Sequence, residues 1–180
     1  MQEIEVKILE VNREKVEEKL ARLGARKIYD DDIQTFFFDF KDGRIVKTKD
    51  VLRLRKEQGK TELTYKKVHA TQTAKNAEEY SVEVSNIETM QKILEYLGLV
   101  ATEKMLKHRI SYEVDNVRFD IDRYLDNYKF IPEFMEIEAE NVDAIYKYAE
   151  LLGFKPKDCL PWSTEELIRY YKEKKGKTKN

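Results

Sequence analysis

Five stretches of this chain place ionised side chains at every second position, and the carboxylates among them come doubled. Glu3, Glu5 and Lys7 alternate with Ile4, Val6 and Ile8; Arg53 and Arg55 with Leu52 and Leu54; Lys107 and Arg109 with Leu106 and Ile110; Arg118, Asp120 and Asp122 with Val117, Phe119 and Ile121; Glu136 and Glu138 with Met135 and Ile137. A two-residue period is that of a β-strand, so each charged set lies on one face. Carboxylates at i and i+2 stand roughly 7 Å apart and repel one another. Something positive must lie between them. Hard divalent cations take oxygen ligands, and Arg and Lys take phosphate oxygens, so the inventory suggests metal ions together with a polyanion. A solvated face explains one such stripe; five form a pattern.

The chain that must position these residues has 180 residues, enough for a closed sheet with covering helices, and one domain over 1–171 is expected. Charged residues are 38% of it, against roughly 25% in an ordinary domain, yet 34 Lys and Arg nearly cancel 35 Asp and Glu. That balance supplies no general attraction to nucleic acid or to an anionic membrane, so polyanion binding must be local. The one cysteine, Cys159, excludes an internal disulfide framework and fits a reducing cytosol. No apolar run approaches a bilayer span, so a cytoplasmic protein is expected. The basic, Gly-containing segment 172–180 reads as a disordered tail.

Three segments share one frame: 12–24 (NREKVEEKLARLG), 86–98 (NIETMQKILEYLG) and 141–153 (NVDAIYKYAELLG). Asn is a strong N-cap and Gly at C′ ends a helix in the left-handed conformation, so each segment has a start, an apolar face and a stop. Each follows an acid-bearing strand. A fourth helix is expected over 163–174, where Ser163 and Glu166 form a capping box. Further strands are expected at 26–33, 34–40, 51–57, 60–68, 103–114 and 117–124, with turns at Asp42-Gly43, Gln58-Gly59 and Asp115-Asn116 and a loop over 69–77. Eight or nine strands joined by short turns give an antiparallel sheet. With charge on one face and helices on the other, the expected fold is α+β, a closed eight-stranded antiparallel barrel or tunnel with helices packed outside.

The bore of such a barrel would hold Glu3, Glu5, Glu83, Asp120, Asp122, Glu136 and Glu138, with Glu62 and Glu79 as weaker members, and Lys7, Arg53, Arg55, Lys66, Lys107, Arg109 and Arg118. Mutual ion pairing of so many buried charges costs desolvation and returns little stability, although a purely structural network remains the competing explanation. Carboxylates holding Mg²⁺ or Mn²⁺ and cations clamping a chain of phosphates would satisfy both halves at once. Other chemistries are poorly served. His69 and His108 are too few for a zinc site, Cys159 has no spaced partner, and neither GxxxxGK[ST] nor GxGxxG occurs. Ser81, Ser111 and Ser163 have no evident triad partners.

Glu3-Ile4-Glu5-Val6-Lys7 resembles the ExExK signature of the CYTH superfamily, the triphosphate tunnel metalloenzymes, which include class IV adenylate cyclases, thiamine triphosphatases and inorganic triphosphatases. The resemblance continues in order: Thr35-Phe36-Phe37 is similar to the second-strand aromatic motif, Leu52-Arg53-Leu54-Arg55 to LRxR, and Leu63-Thr64-Tyr65-Lys66 to LTxK. Farther on, 79–83 is similar to the central acidic strand, Lys107-His108-Arg109 to KxR, Asp120-Ile121-Asp122 to the next acidic strand, and 134–138 to the closing ExE strand. The resemblance implies metal ligation by Glu3, Glu5, Asp122, Glu136 and Glu138, and phosphate binding by Lys7, Arg53, Arg55, Lys66, Lys107 and Arg109. It further implies catalytic roles for Glu3, Glu83 and Lys7. Gln34, Phe36, Ser81 and Ile131-Pro132-Glu133 depart from the family pattern.

Two reactions share such a site. Attack by water on the terminal phosphorus gives a triphosphatase, the favoured reading because it needs fewer parts; attack by the ribose 3′-hydroxyl of ATP on the α-phosphorus gives a class IV cyclase. A non-catalytic nucleotide or polyphosphate binder is a third reading. The expected partner is a small-molecule triphosphate, without nucleic acid or membrane, and a homodimer is allowed but not specified.

Overall fold

The structure, a computed structural model, describes residues 4–70 and 75–177. Its strands are β1 (Ile4–Ile8), β2 (Arg26–Phe40), β3 (Val51–Glu57), β4 (Lys60–Ala70), β5 (Lys75–Val84), β6 (Leu99–Val114), β7 (Val117–Tyr124) and β8 (Phe134–Ala139). They form one eight-stranded sheet whose order begins at β1 and ends at β5, β1-β8-β7-β6-β2-β3-β4-β5. The ladders within the two units described below are antiparallel. The helices are α1 (Arg13–Arg22), α2 (Arg44–Lys47), α3 (Ile87–Tyr96), α4 (Val142–Leu151) and α5 (Thr164–Lys177). The α+β class and the eight antiparallel strands are those expected.

The repeated helical frame forms as its residues dictate. Asn12, Asn86 and Asn141 accept the backbone N–H of Lys15, Thr89 and Ala144, which satisfies an orphan donor of each first turn. Gly24, Gly98 and Gly153 close the three helices at φ of 77°, 90° and 85°, a region costly for any residue with a Cβ. Two hairpins also follow their turn residues: Gln58-Gly59 and Asp115-Asn116 all have positive φ, the two-residue geometry that matches strand twist.

Four boundaries differ from expectation. The stretch 26–40 contains no Gly or Pro to interrupt it and is one strand, not two. β6 starts at Leu99, directly after Gly98, because Leu99 is itself a buried core residue. The expected loop 69–77 is largely strand, with only 71–74 outside the described residues. Helix α5 runs to Lys177, past the start of the expected tail at 172, and the Lys174 ammonium ties it down by donating to Glu10 Oε1 (2.6 Å). The short helix α2 was not foreseen; Asp39 nucleates it by accepting the N–H groups of Ile45 and Val46, both at 3.0 Å.

The chain forms two compact units, Met1–Asp31 with Lys107–Asn180, and Asp32–Leu106. In the first, Val6, Ile8, Ile110, Phe119, Ile121, Met135 and Ile137 share one sheet face and pack against Val16 and Leu20 of α1, Ile145 and Ala149 of α4, and Leu152, which caps α4. In the second, Phe38, Leu54 and Leu99 pack against Ile87 and Leu94 of α3 and Ile45 of α2. Each such side chain contributes roughly 1.5–3 kcal/mol on burial. With the apolar alternate positions committed to these cores, the charged alternates of the same strands must share the other face.

The Asn141 cap gives a direct test of the repeated frame. Asn141→Ala should lower stability by about 1 kcal/mol and Asn141→Asp by much less, read as a shift in urea midpoint at constant slope.

Candidate functional site

The Asp115-Asn116 hairpin sets Arg109 opposite Asp122, Ser111 opposite Asp120 and Glu113 opposite Arg118. The β7–β8 register sets Asp120 opposite Glu136 and Arg118 opposite Glu138. The β1–β8 register then sets Lys7 opposite Glu136 and Glu5 opposite Glu138. One face of the first unit therefore carries two transverse rows, Lys7-Glu136-Asp120-Ser111 and Glu5-Glu138-Arg118-Glu113. Both rows contain unfavourable neighbours, Glu136 against Asp120 in one and Glu5 against Glu138 in the other.

Arg109 resolves the first conflict. Its guanidinium donates from Nε to Asp122 Oδ1 (2.7 Å), from Nη2 to Asp122 Oδ2 (2.6 Å) and Glu136 Oε2 (2.5 Å), and from Nη1 to Asp120. Lys107 donates to Asp122 Oδ2 at 2.5 Å, and Arg118 Nε to Asp120 Oδ1 at 2.8 Å. Lys7, 1% exposed, sets its ammonium 2.7 Å from Glu5 Oε1 and 2.9 Å from Glu136 Oε1. Burial alone would push the Glu136 carboxyl up, but Lys107, Arg109 and Lys7 outweigh it and hold it well below the usual range. Burial would likewise lower Lys7 and Arg109; their carboxylate partners raise both instead. This is a paired, nearly closed network, as the competing structural explanation required, and Arg109 is its hub.

The second unit is different. The Gln58-Gly59 hairpin sets Arg55 opposite Glu62 and Arg53 opposite Thr64. The β4–β5 register adds Glu83 opposite Glu62, Ser81 opposite Thr64 and Glu79 opposite Lys66. Lys66 pairs with Glu79, while Thr64 bonds Glu62 and Ser81, each at 3.0 Å. The two arginines are poorly served: Arg53 Nη2 is 3.9 Å from Glu79 and Arg55 Nη1 is 3.7 Å from Glu57. The buried Nε atoms of both have no hydrogen-bond partner among the described residues. Burial, with the like charge of Arg55 beside it, depresses Arg53 to about 10. Two desolvated guanidiniums side by side, short of acceptors, form a surface that favours a multiply charged anion.

The residues expected to act thus fall into two groups. Glu5, Lys7, Lys107, Arg109, Asp122, Glu136 and Glu138 share one face of the first unit; Arg53, Arg55 and Lys66 share one face of the second, where Glu83 is exposed on β5. Glu3 lies outside the described residues. Among the described residues no three His, Cys, Asp or Glu side chains stand together as a preformed metal cluster. The donor chemistry nevertheless suits a hard cation: Glu5, its side chain 51% exposed, stands opposite Glu138, and a divalent ion there would relieve a like-charge pair. Sequence reasoning did not single out Arg109 as a hub, although the two-residue hairpin at Asp115-Asn116 already fixes its register against Asp122.

An antiparallel sheet that buries helices on one side and lays out ionised groups on the other defines an α+β protein organised around a charged surface. Residues 1–150 match the model of the CYTH domain, and the chain belongs to that family. It is 29% identical over 143 residues, 79% of each chain, to a protein of Methanocaldococcus jannaschii described as a candidate adenylate cyclase. Among solved structures, the PH1012 protein of Pyrococcus horikoshii superposes with a TM-score of 0.74 at 27% identity, over 93% of this chain and 99% of that one. A Hippeastrum protein, described as a candidate adenylyl cyclase with a dominant triphosphatase activity, shares the fold with a TM-score of 0.65 at 15% identity, over 94% and 96%. No helix among the described residues is long and apolar enough to cross a membrane.

The two kinds of charge should respond differently to removal. Arg109→Met takes the shared partner from three buried carboxylates, leaving each with one cation, and should cost about 3–5 kcal/mol at neutral pH. Glu136, whose carboxyl Arg109 helps to hold below the usual range, would then ionise less readily, so part of the deficit should disappear as pH falls through the carboxylate range. Glu138→Gln trades its repulsion with Glu5 against its attraction to Arg118 opposite, and in EDTA it should change stability far less than Arg109→Met does. Denaturation of both variants at pH 7 and pH 4.5 checks the pair, and a strongly destabilised Glu138→Gln would remove Glu138 from the metal ligands.

Proposed function

We propose that this protein is a divalent-metal-dependent enzyme of triphosphate substrates, hydrolysing the terminal phosphoryl group. The observation that carries the reading is the Arg53-Arg55 pair, whose buried Nε atoms lack acceptors and whose mutual repulsion an anion would relieve. Membership of the CYTH family supports the substrate class.

In this reading Arg53, Arg55 and Lys66 bind phosphate oxygens, the two arginines through their planar forks. Lys7, Lys107 and Arg109 are the remaining phosphate-binding cations, and each must exchange a carboxylate partner for a phosphate oxygen to serve. Glu3, Glu5, Asp122, Glu136 and Glu138 would hold Mg²⁺ or Mn²⁺, which would supply neutralisation of phosphoryl oxygens and acidification of water. Glu83, exposed on β5, accepts the proton of the attacking water, with Glu3 as the other acid suited to that task. Water oxygen bonds to the terminal phosphorus, the bridging P–O bond breaks, and orthophosphate leaves with the shortened chain. Lys7 stabilises the charge that develops on the phosphoryl oxygens.

A second reading is favoured by the relative from Methanocaldococcus jannaschii: cyclisation of ATP, in which the ribose 3′-hydroxyl attacks the α-phosphorus and pyrophosphate leaves. Both readings place the protein in the cytoplasm with a small-molecule substrate. Incubation with tripolyphosphate, thiamine triphosphate and ATP in Mg²⁺ or Mn²⁺ separates them. Orthophosphate release supports the hydrolase, cyclic AMP with pyrophosphate the cyclase, and binding without turnover overturns both.

Arg55→Met tests the carrying observation directly. Losing one charge-assisted contact should weaken tripolyphosphate binding by about 1.5–3 kcal/mol, while ligand-free stability stays level or rises by about 1 kcal/mol because a half-buried, underpaired cation is gone. Calorimetric titration and chemical denaturation read the two effects, and unchanged affinity would place Arg55 outside the site.

A further inference from the structure

The family match ends at residue 150, yet the chain beyond it returns to the signature strand. Lys7 donates its backbone N–H to the carbonyl of Leu160 (2.8 Å) and accepts the N–H of Leu160 (2.9 Å), a reciprocal antiparallel bridge on the edge of β1 not taken by β8. Leu160 sits in the strap 152–163 that joins α4 to α5. Pro161 follows it and restricts Leu160 to extended backbone, the conformation a bridge requires. The strap is anchored at both ends. Upstream, Asp158 Oδ2 accepts the Lys155 N–H (2.8 Å) and Cys159 is buried. Downstream, Ser163 and Glu166 exchange capping bonds of 2.7 and 3.2 Å, and α5 buries Leu167, Ile168 and Tyr171. Tyr171 and Lys174 then donate to Glu10, two residues beyond the end of β1.

We infer that this strap is a positioning device for Lys7, clamping its backbone so that the buried ammonium stays between Glu5 and Glu136, aimed for phosphate. The inference rests on the reading of Lys7 as a phosphate-binding cation. A strand edge can be covered anywhere along its length to prevent misassembly; here the bridge falls on the one buried cation of β1. The ammonium is about four methylenes from the backbone, so a shift or rotation of the strand moves it away from a partner that tolerates only a few tenths of an ångström. Leu160 touches no substrate and acts only through Lys7.

The test is a double-mutant cycle on binding of imidotriphosphate, a triphosphate analogue that resists hydrolysis, titrated calorimetrically with Mg²⁺. Leu160→Pro deletes the N–H that Lys7 O accepts; Leu160→Ala keeps both backbone bonds and is the packing control. Leu160→Pro should weaken binding about three- to tenfold, the range of one lost backbone hydrogen bond, while Leu160→Ala binds as wild type. In a Lys7→Ala background Leu160→Pro should have no further effect, because nothing remains for the strap to aim. Equal losses in both backgrounds, or a Leu160→Ala loss as large as that of Leu160→Pro, would overturn the inference. If Leu160→Pro fails to melt cooperatively, Pro161→Ala, which frees Leu160 from its restriction, takes its place in the same cycle. A wild type that binds no analogue removes the phosphate reading of Lys7 and the strap's role with it; a wild type that binds, with additive losses, removes the strap's role alone.

Discussion

Burying an ionised side chain costs several kcal/mol unless a partner of opposite charge and good geometry accompanies it. Every strand of the ionised faces has to answer that constraint, and the two units answer it differently. In the first, Arg109 directs four donor contacts to Asp120, Asp122 and Glu136, and Lys7 and Lys107 complete the neutralisation. In the second, Arg53 and Arg55 lie side by side with long contacts to Glu79 and Glu57 and with buried Nε atoms lacking acceptors. A set of charges selected only for stability would not leave that asymmetry, since isosteric apolar residues at 53 and 55 would be less costly. The retained cost is what supports the proposed anion at these arginines.

The paired network also has a functional reading. In the proposed function, the carboxylates that hold Arg109 and Lys7 in place would act as internal stand-ins for phosphate, so the cations would already be ordered when substrate arrives and would lose little side-chain entropy on binding. The exchange of partners is then a competition between charge-assisted bonds of similar strength. Any cation taking up Glu5, Glu136 or Glu138 tilts that competition towards phosphate by removing the carboxylates from it. In the proposed site, metal and anion would thereby be coupled through the same guanidinium and ammonium groups, and by linkage each would strengthen the other's binding.

How much of this the sequence made legible depends on whether a signal was local. The Asn caps and Gly stops fixed three helices to within a residue or two, because each motif is satisfied inside its own turn. The period-two alternation identified the charged faces, and two hairpins of two residues fixed two registers. The β1–β8 register, which brings Lys7 against Glu136, joins residues about 130 apart, and no local residue encodes it. The split of one strand at 33–34 was an error: with no Gly or Pro in 26–40, the chain runs through Ile33 and Gln34 as one strand. The tail was misjudged because composition alone cannot see that Glu10, at a positive φ of 54°, offers its carboxylate to Lys174.

The Leu160 bridge shows where sequence similarity and physical organisation part company. A family match records residues that recur at a spacing, so it covers 1–150 and stops. Position, however, is set by whatever touches the backbone, and the backbone of Lys7 is touched from residue 160. Lys7 is held by β8 on one side, by the strap on the other and by two carboxylates at its tip, while Glu5, two residues away, keeps a side chain half exposed to solvent. Rigidity is therefore not spread evenly along the signature strand. It concentrates on the buried cation and relaxes at the half-exposed carboxylate, as the proposed division between a phosphate-binding Lys7 and a metal-binding Glu5 would require.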